Sequence, residues 1–149
     1  MARMHARRRG KSHSTRPPSK KFPEWLDLTP ETVEQIATKL AREGKSPSEI
    51  GVILRDRYGV PTFKQVTGSK MVKVLAGEDL APELPEDLAN LMERAMRMRR
   101  HLKQNKKDGK SKHALELVEA KIHRLSKYYR KKGVLPKDWK YKSVIAKIV

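Results

Sequence analysis

The sequence predicts an all-α protein in which a small block of short helices precedes a long antiparallel helical hairpin. Apolar residues recur at steps of three and four along two long stretches of the C-terminal half, which is the period of an amphipathic helix. Capping residues and glycines divide the preceding segment into shorter helices. Basic residues are concentrated towards the two ends of the chain, which sets these parts apart from the middle.

Residues 1–21 hold eight Lys or Arg residues, no acidic residue and almost no apolar side chain. Such a segment buries too little surface to offset the entropy lost on ordering. We therefore expect a disordered basic arm that binds a nucleic-acid backbone, with a merely solubilising tail as the disfavoured alternative. The cations singled out in this arm are Arg7, Arg8, Arg9 and Lys11.

Residues 22–84 are nearly neutral, with eight basic and ten acidic residues, and are predicted to form the block of short helices. The first helix begins at Pro30 with Thr29 as its N-cap, because proline suits the first helical position, and Gly44 ends it. Its apolar face is predicted to consist of Val33, Ile36, Ala37 and Leu40.

A second helix is predicted after Ser46, since Ser46 and Glu49 have the spacing of a capping box around Pro47. Gly59 would end this helix, and its inward residues would be Ile50, Ile53 and Leu54. Two shorter helices are expected around 63–66 and 70–75, separated by Gly68. Residues 77–85 are rich in acid and proline and are predicted to be a linker.

Residues 85–149 are predicted to form the hairpin and a tail, and they hold nineteen basic and seven acidic residues. The two apolar seams are Leu84, Leu88, Leu91, Ala95, Met98 and Leu102, then Leu115, Val118, Ile122, Leu125 and Tyr129. The short joint at 105–110 makes the helices antiparallel, and Gly133 ends the second one. Trp139 and Tyr141 are expected to cover the end of the hairpin, while the last eight residues have no clear structure.

Composition excludes several classes of protein. The 149 residues include 35 Lys or Arg, 17 Asp or Glu and no Cys, for a net charge of +18. Disulfides, Cys-based zinc sites and thiol nucleophiles are therefore excluded. No apolar run approaches the roughly 20 residues of a membrane span, and no signal peptide is visible, so we expect an intracellular protein without a membrane partner. No cofactor motif, metal spacing or catalytic pair appears, which predicts a non-enzyme without cofactor or small-molecule substrate. Nucleic acid is the expected partner.

The hairpin carries cations off its apolar seams, spaced so that several are expected to project from a common side of each helix. Such rows can follow phosphates, with Arg forming paired contacts and Lys acting as a point charge. A solvated face is the alternative, and the small number of intervening acids disfavours it. The cations are Arg94, Arg97, Arg100, Lys103, Lys121, Arg124, Lys127 and Arg130.

The joint between the hairpin helices brings together His101, Asp108 and Ser111, flanked by Lys106, Lys107 and Lys110. A carboxylate among these lysines would stay ionised and could accept from a guanine edge or a ribose 2′-hydroxyl. Asp108 or Ser111 could equally cap the second long helix, and one residue can do both. Tyr128, off the seam beside Lys127, could stack on or hydrogen-bond to nucleic acid.

The stretch HLKQNKKDGKSKHALELVEAKIHRLSKYYRKKGVLPKDWKY resembles the small-subunit ribosomal protein family numbered fifteen in bacteria. SPSEIGVILRDRYGV, VTGSK, LAPELPEDL and MARMHARRRG are similar to the longer archaeal and eukaryotic form, numbered thirteen in eukaryotes, and the arginine-rich start favours an archaeal type. The resemblance covers nearly the whole chain. It implies an all-helical protein of the small ribosomal subunit, in the cytoplasm, which binds the central domain of small-subunit ribosomal RNA near a three-helix junction early in assembly. Expected partners are this RNA, neighbouring small-subunit proteins and large-subunit RNA across the subunit interface.

The resemblance also implies roles for individual residues. In the family a His, an Asp seven residues later and a Ser three residues further on contact the RNA minor groove, and the matching positions are His101, Asp108 and Ser111. Arg94, Arg124 and Tyr128 match in the same way. Residues 81–88 depart from the DTGSxEVQ type of motif of the bacterial members, so no RNA contact is carried over to them.

Two other functions can be weighed against RNA binding. Residues 46–75 show the order of short helix, glycine-marked turn and short helix that is typical of a DNA-binding helix-turn-helix. However, the segment 22–84 lacks the excess of cations that a recognition helix needs. A metal-dependent RNA hydrolase would need clustered carboxylates. The chain offers only the adjacent pairs 78–79 and 86–87, at linker or helix-start positions where acids are common.

Overall fold

A computed structural model describes residues 23–141, and the predicted arm at 1–21 and tail at 142–149 lie outside this range. The described residues form six helices and no strand, which confirms the all-α prediction. They divide into two compact units, 23–82 and 83–141. The helices are α1 (Pro30–Arg42), α2 (Pro47–Tyr58), α3 (Phe63–Thr67), α4 (Met71–Gly77), α5 (Glu86–Gln104) and α6 (Gly109–Lys131).

The helix ends of the first unit follow the predicted capping signals. The Thr29 hydroxyl accepts a hydrogen bond from the Thr32 amide at the start of α1. At α2 the capping box is complete, because Ser46 Oγ accepts from the Glu49 amide at 3.3 Å and Glu49 Oε2 accepts from the Ser46 amide at 3.0 Å. Gly59 ends α2 with φ at 68°, in the left-handed region that favours glycine.

The core of the first unit forms where α1 packs against α2, α3 and α4. Of the inward residues predicted for α2, Ile50 and Leu54 are buried, whereas Ile53 is only half-buried. Ile36 and Leu40 of α1 are partly buried against this core. The buried residues are Leu26, Val33, Ala37, Ile50, Leu54, Val60, Phe63, Val66 and Leu75.

The second unit is the predicted hairpin, in which α5 and α6 pack against each other in antiparallel directions. Met92, which the predicted seam omitted, is buried, while its neighbour Leu91 is only partly buried. A helix with 3.6 residues per turn buries a stripe wider than one seam, so position 92 packs inward beside Leu88 and Ala95. The buried residues of this core are Leu88, Met92, Ala95, Val118, Ile122, Leu125 and Leu135.

The chain after α6 folds back onto this core. Gly133 adopts φ of 71° just beyond the end of α6, which confirms the predicted stop. Trp139 and Tyr141 pack against the hairpin core, and the Tyr141 ring meets His123 of α6 edge-on at 5.6 Å. They cover the hairpin core, but Tyr141 lies against the middle of α6 rather than at the predicted end of the hairpin. No helix among residues 23–141 is long and apolar enough to cross a bilayer.

Candidate nucleic-acid interface

The tip of the hairpin joins His101, Asp108 and Ser111 into one hydrogen-bonded cluster. Asp108 is the N-cap of α6, where its Oδ1 accepts from the Ser111 amide at 3.0 Å. Its Oδ2 lies 3.0 Å from Nε2 of His101 in the last turn of α5. Of the two residues that the sequence offered as a cap, Asp108 therefore takes the role.

The carboxyl of Asp108 is held ionised by these contacts. The amide and hydroxyl of Ser111, followed by the His101 ring, hold the pKa of Asp108 well below its ordinary value. About a third of the side chain stays exposed, and each carboxylate oxygen can accept more than one hydrogen bond. Asp108 can therefore cap the helix and still accept from a ligand.

Asn105 fixes the orientation of the His101 ring and was not identified from the sequence. Its Nδ2 donates to the backbone carbonyl of His101 at 3.2 Å and lies 3.3 Å from Nδ1 of the same ring. With this amide as donor, the geometry suits the tautomer in which Nδ1 accepts from Asn105 and Nε2–H donates to Asp108. The signal in the sequence was a residue that often ends helices, four positions after His101.

The predicted lysines surround this cluster. Lys106 and Lys107 lie in the turn between the helices, Lys110 lies in the first turn of α6, and all three are exposed. They give the tip a positive potential in which Asp108 is the one carboxylate bonded into the cluster within residues 101–111.

An ion pair between α5 and α6 marks one face of the hairpin. Arg99 Nε donates to Glu119 Oε1 at 3.0 Å, and both side chains are about three-quarters buried. On this face Tyr141 packs near the pair and against His123. The pair was missed because the residues lie 20 positions apart and only the hairpin register brings them together.

By helix geometry, Arg94 and Arg124 point away from the Arg99–Glu119 pair. Each is five residues from a member of the ion pair, and five residues turn an α-helix about 140° away from the starting direction. Because the helices are antiparallel, five residues back along α5 and five residues forward along α6 move the same distance in the same direction along the hairpin. Arg94 and Arg124 therefore lie at the same height on the hairpin axis. The two arginines thus face the same side from opposite helices, and Arg124 Nε donates to the Ala120 carbonyl at 3.3 Å.

By helix geometry, only neighbouring members of each predicted basic row share a side of the helix. A step of three residues falls short of a full turn by about 60°, so the four cations from Arg94 to Lys103 sweep about 180° around α5. Nε of Arg97 lies 3.6 Å from Oε1 of Glu93 on the exposed side of the helix. Arg100, Lys103 and Lys127 are exposed, and Arg130 is half-buried.

Tyr128 and Tyr129 differ in environment, as predicted. The Tyr129 ring packs against the hairpin core, and its hydroxyl donates to the two carboxylate oxygens of Asp87 at 2.7 and 2.8 Å. Tyr128 is exposed on 48% of its surface and meets the Tyr129 ring edge-on at 5.3 Å. Lys132 places its Nζ 6.0 Å from the Tyr128 ring centre. Tyr128 is thus presented to solvent beside cations.

The other sequence hypotheses find no structural support. The helix-turn-helix alternative at 46–75 would need α3 or α4 as its recognition helix, and these have only five and seven residues. Within 23–141 there is no group of three His, Cys, Asp or Glu residues that could hold a metal ion. Arg7, Arg8, Arg9 and Lys11 lie outside the described residues, so their predicted role stays a prediction.

Comparisons with known proteins match both parts of the chain. A family model described as Ribosomal S13/S15 N-terminal domain matches residues 1–60, and one described as Ribosomal protein S15 matches residues 72–149. A protein of Nitrosopumilus maritimus named Small ribosomal subunit protein uS15 is 45% identical over 148 residues, covering 99% of each chain. Proteins with the same name from Cenarchaeum symbiosum and Methanospirillum hungatei are 47% and 50% identical, and each alignment covers at least 98% of either chain.

Proposed function

Because the chain belongs to the ribosomal protein S15 family, in its archaeal type, we propose that it is a structural, non-enzymatic component of the small ribosomal subunit. It binds small-subunit ribosomal RNA and has other small-subunit proteins as neighbours in the cytoplasm. Its RNA site is the central domain near a three-helix junction, which it helps to assemble. This position is close to the intersubunit face, where large-subunit RNA comes within reach.

The preformed cluster of His101, Asp108 and Ser111 is the observation that carries the proposal. A carboxylate accepts from the guanine amino group in a minor groove and from ribose 2′-hydroxyls, which cations cannot do. Asp108 is already ionised and oriented by two protein partners, so little ordering is needed when RNA binds. The wide, shallow minor groove of A-form RNA is accessible to such a helix–helix tip.

The face of Arg94 and Arg124 extends this site along the hairpin. The two arginines are expected to contact phosphates, and Tyr128 at the far end is expected to stack on or hydrogen-bond to a nucleotide. Tip and far end lie about 30 Å apart along α6, since its residues rise about 1.5 Å each. Contacts at both ends of one face would distinguish a folded junction from a simple duplex.

The test is the affinity of the full chain for a transcript of the central-domain three-helix junction. A scrambled RNA and a DNA duplex are measured in parallel over a range of salt concentrations. Charge alone predicts similar binding to all three with one steep salt slope. We expect the junction to bind most tightly, to keep binding at elevated salt and to lose this preference with Asp108→Ala. Equal binding to the three nucleic acids would refute the assignment.

The arm at 1–21 is proposed to add phosphate contacts that do not depend on sequence. Its cations, including Arg7, Arg8, Arg9 and Lys11, would each release counterions on binding. Removing residues 1–21 should therefore weaken binding to the junction, the scrambled RNA and the duplex alike and flatten the salt slope. A loss restricted to the junction would instead mean that the arm reads a specific site.

A further inference from the structure

We propose that Asp87 and Tyr129 form a clamp that positions Tyr128 for contact with RNA. The clamp lies at the open end of the hairpin, opposite the tip. The inference rests on the proposed function, because Tyr128 is a contact only if the hairpin binds RNA. Asp87 and Tyr129 are thus positioning residues, which act through their neighbour.

The clamp connects the start of α5 to the end of α6. Asp87 lies in the first turn of α5, and the Tyr129 hydroxyl reaches both of its carboxylate oxygens from 42 residues further along the chain. Partial burial and the nearby carboxylate raise the pKa of Tyr129 to about 12, so the phenol keeps its proton at physiological pH. The Tyr129 hydroxyl therefore remains a hydrogen-bond donor to Asp87 at physiological pH.

Tyr128 depends on this clamp for a defined orientation. Half of its surface is exposed, and its ring packs at 65° against the Tyr129 ring. An exposed aromatic side chain samples several rotamers unless a fixed neighbour selects one. The Tyr129 ring is fixed by the hairpin core on one side and by Asp87 at its hydroxyl, so it can serve as that neighbour.

The chemistry of Asp87 also argues for an indirect role. A carboxylate close to a phosphate backbone repels it, so a direct contact is disfavoured unless a base edge donates to it. The single proton of the Tyr129 hydroxyl is shared between the two oxygens of Asp87, and Oδ1 also accepts from the Leu88 amide at 2.8 Å, so the protein itself orients this carboxylate. Asp87 lies in the segment 81–88, which departs from the bacterial motif of the family.

The test uses three substitutions in the full chain. Tyr129→Phe removes the hydroxyl and keeps the ring and the charge. Asp87→Ala and Asp87→Asn both remove the charge, but only Asn keeps an oxygen that can accept from Tyr129. With the junction RNA we expect Tyr129→Phe and Asp87→Ala to raise Kd about threefold, as for part of one hydrogen bond, and Asp87→Asn to stay near wild type. Thermal unfolding confirms that each variant is folded at the assay temperature.

A double-mutant cycle separates positioning from mere stabilisation. Tyr128→Ala should weaken binding less in the Tyr129→Phe background than in the wild type. Asp108→Ala should raise the Kd by the same factor in both backgrounds. Full additivity of Tyr128→Ala and Tyr129→Phe, or unchanged affinity of Tyr129→Phe, would overturn the clamp.

A measurement on the free protein keeps the clamp distinct from RNA binding. With ¹³C-labelled tyrosine, the Tyr128 ring signals should move towards random-coil values in Asp87→Ala but not in Asp87→Asn. Unchanged signals in Asp87→Ala would overturn the clamp even if the junction binds. A wild type with no preference for the junction would refute the proposed function, and the positioning role would fall with it.

Discussion

Nε2 of His101 lies 3.0 Å from Oδ2 of Asp108, and this contact closes the tip of the hairpin between the last turn of α5 and the N-cap of α6. The other oxygen of the same carboxylate satisfies the Ser111 amide, one of the donors that a helix start leaves without a partner. The Asp108 side chain thus contacts the last turn of α5, caps the start of α6 and presents an anionic acceptor. Capping and recognition at this position are parts of a single arrangement.

Substitution of Asp108 by Asn and by Ala should separate these two roles. Asn is as good an N-cap as Asp, so Asp108→Asn should lower the midpoint of urea unfolding less than Asp108→Ala does. Both variants should weaken binding to the junction RNA about tenfold or more, because both lose the charged acceptor. Urea unfolding followed by circular dichroism and filter binding give the two readouts. Wild-type affinity for Asp108→Asn would mean that the carboxylate serves only as a cap.

Acid should weaken the hairpin through the same residue. The pKa of Asp108 is lowered in the folded protein by Ser111 and His101, so the unfolded chain binds this proton more tightly. The stabilising contribution is therefore complete above the unfolded pKa of about 3.9 and is lost as the pH falls through the lower folded value. In thermal unfolding between pH 6 and about pH 2, the melting temperature should fall more steeply for the wild type than for Asp108→Ala. Parallel curves for the two proteins would contradict this account.

Local signals predicted the helices well, because each rests on residues close together in the sequence. Thr29, Ser46 and Gly59 mark helix ends through contacts within a few residues, and all three act as expected. The contacts that the sequence did not reveal depend on the hairpin register. Arg99 with Glu119 and Asp87 with Tyr129 are separated by 20 and 42 residues, and charge or hydroxyl type alone does not select such partners.

The candidate site also has a part that the sequence predicted and a part that it did not. The cluster at the tip spans eleven residues, from His101 to Ser111, and its spacing was visible in the sequence. Several cations were predicted to share a side of each helix because residues three apart are neighbours, but each further step of three residues turns the next cation about 60° around the axis. Only the Arg99 contact distinguishes the two faces and places Arg94 on the side away from it.

Two glycines of α2 should respond to alanine with opposite sign. Gly59 has φ of 68°, so a Cβ there is strained, and Gly59→Ala should cost about 1 kcal/mol of unfolding free energy. Gly51 lies inside the helix, and an added Cβ would have no atom within 4 Å. Gly51→Ala should therefore stabilise the protein by about 0.5–1 kcal/mol. Urea unfolding of the two variants provides the comparison, and a shift of the same sign in both would refute the helix boundary at Gly59.

Arg94 and Arg99 offer a matched test of the two faces of the hairpin, since they lie on the same helix and differ in partner. Arg99→Met leaves the three-quarters-buried Glu119 without this cation and should cost about 1–2 kcal/mol of unfolding free energy. Arg94→Met removes an exposed charge and should change stability by less than about 0.5 kcal/mol. Affinity for the junction RNA should show the reverse order, with Arg94→Met weaker and Arg99→Met near wild type at a temperature where both are folded. Equal losses of affinity would mean that RNA reaches both faces, and a loss confined to Arg99→Met would place the interface on the face covered by Tyr141.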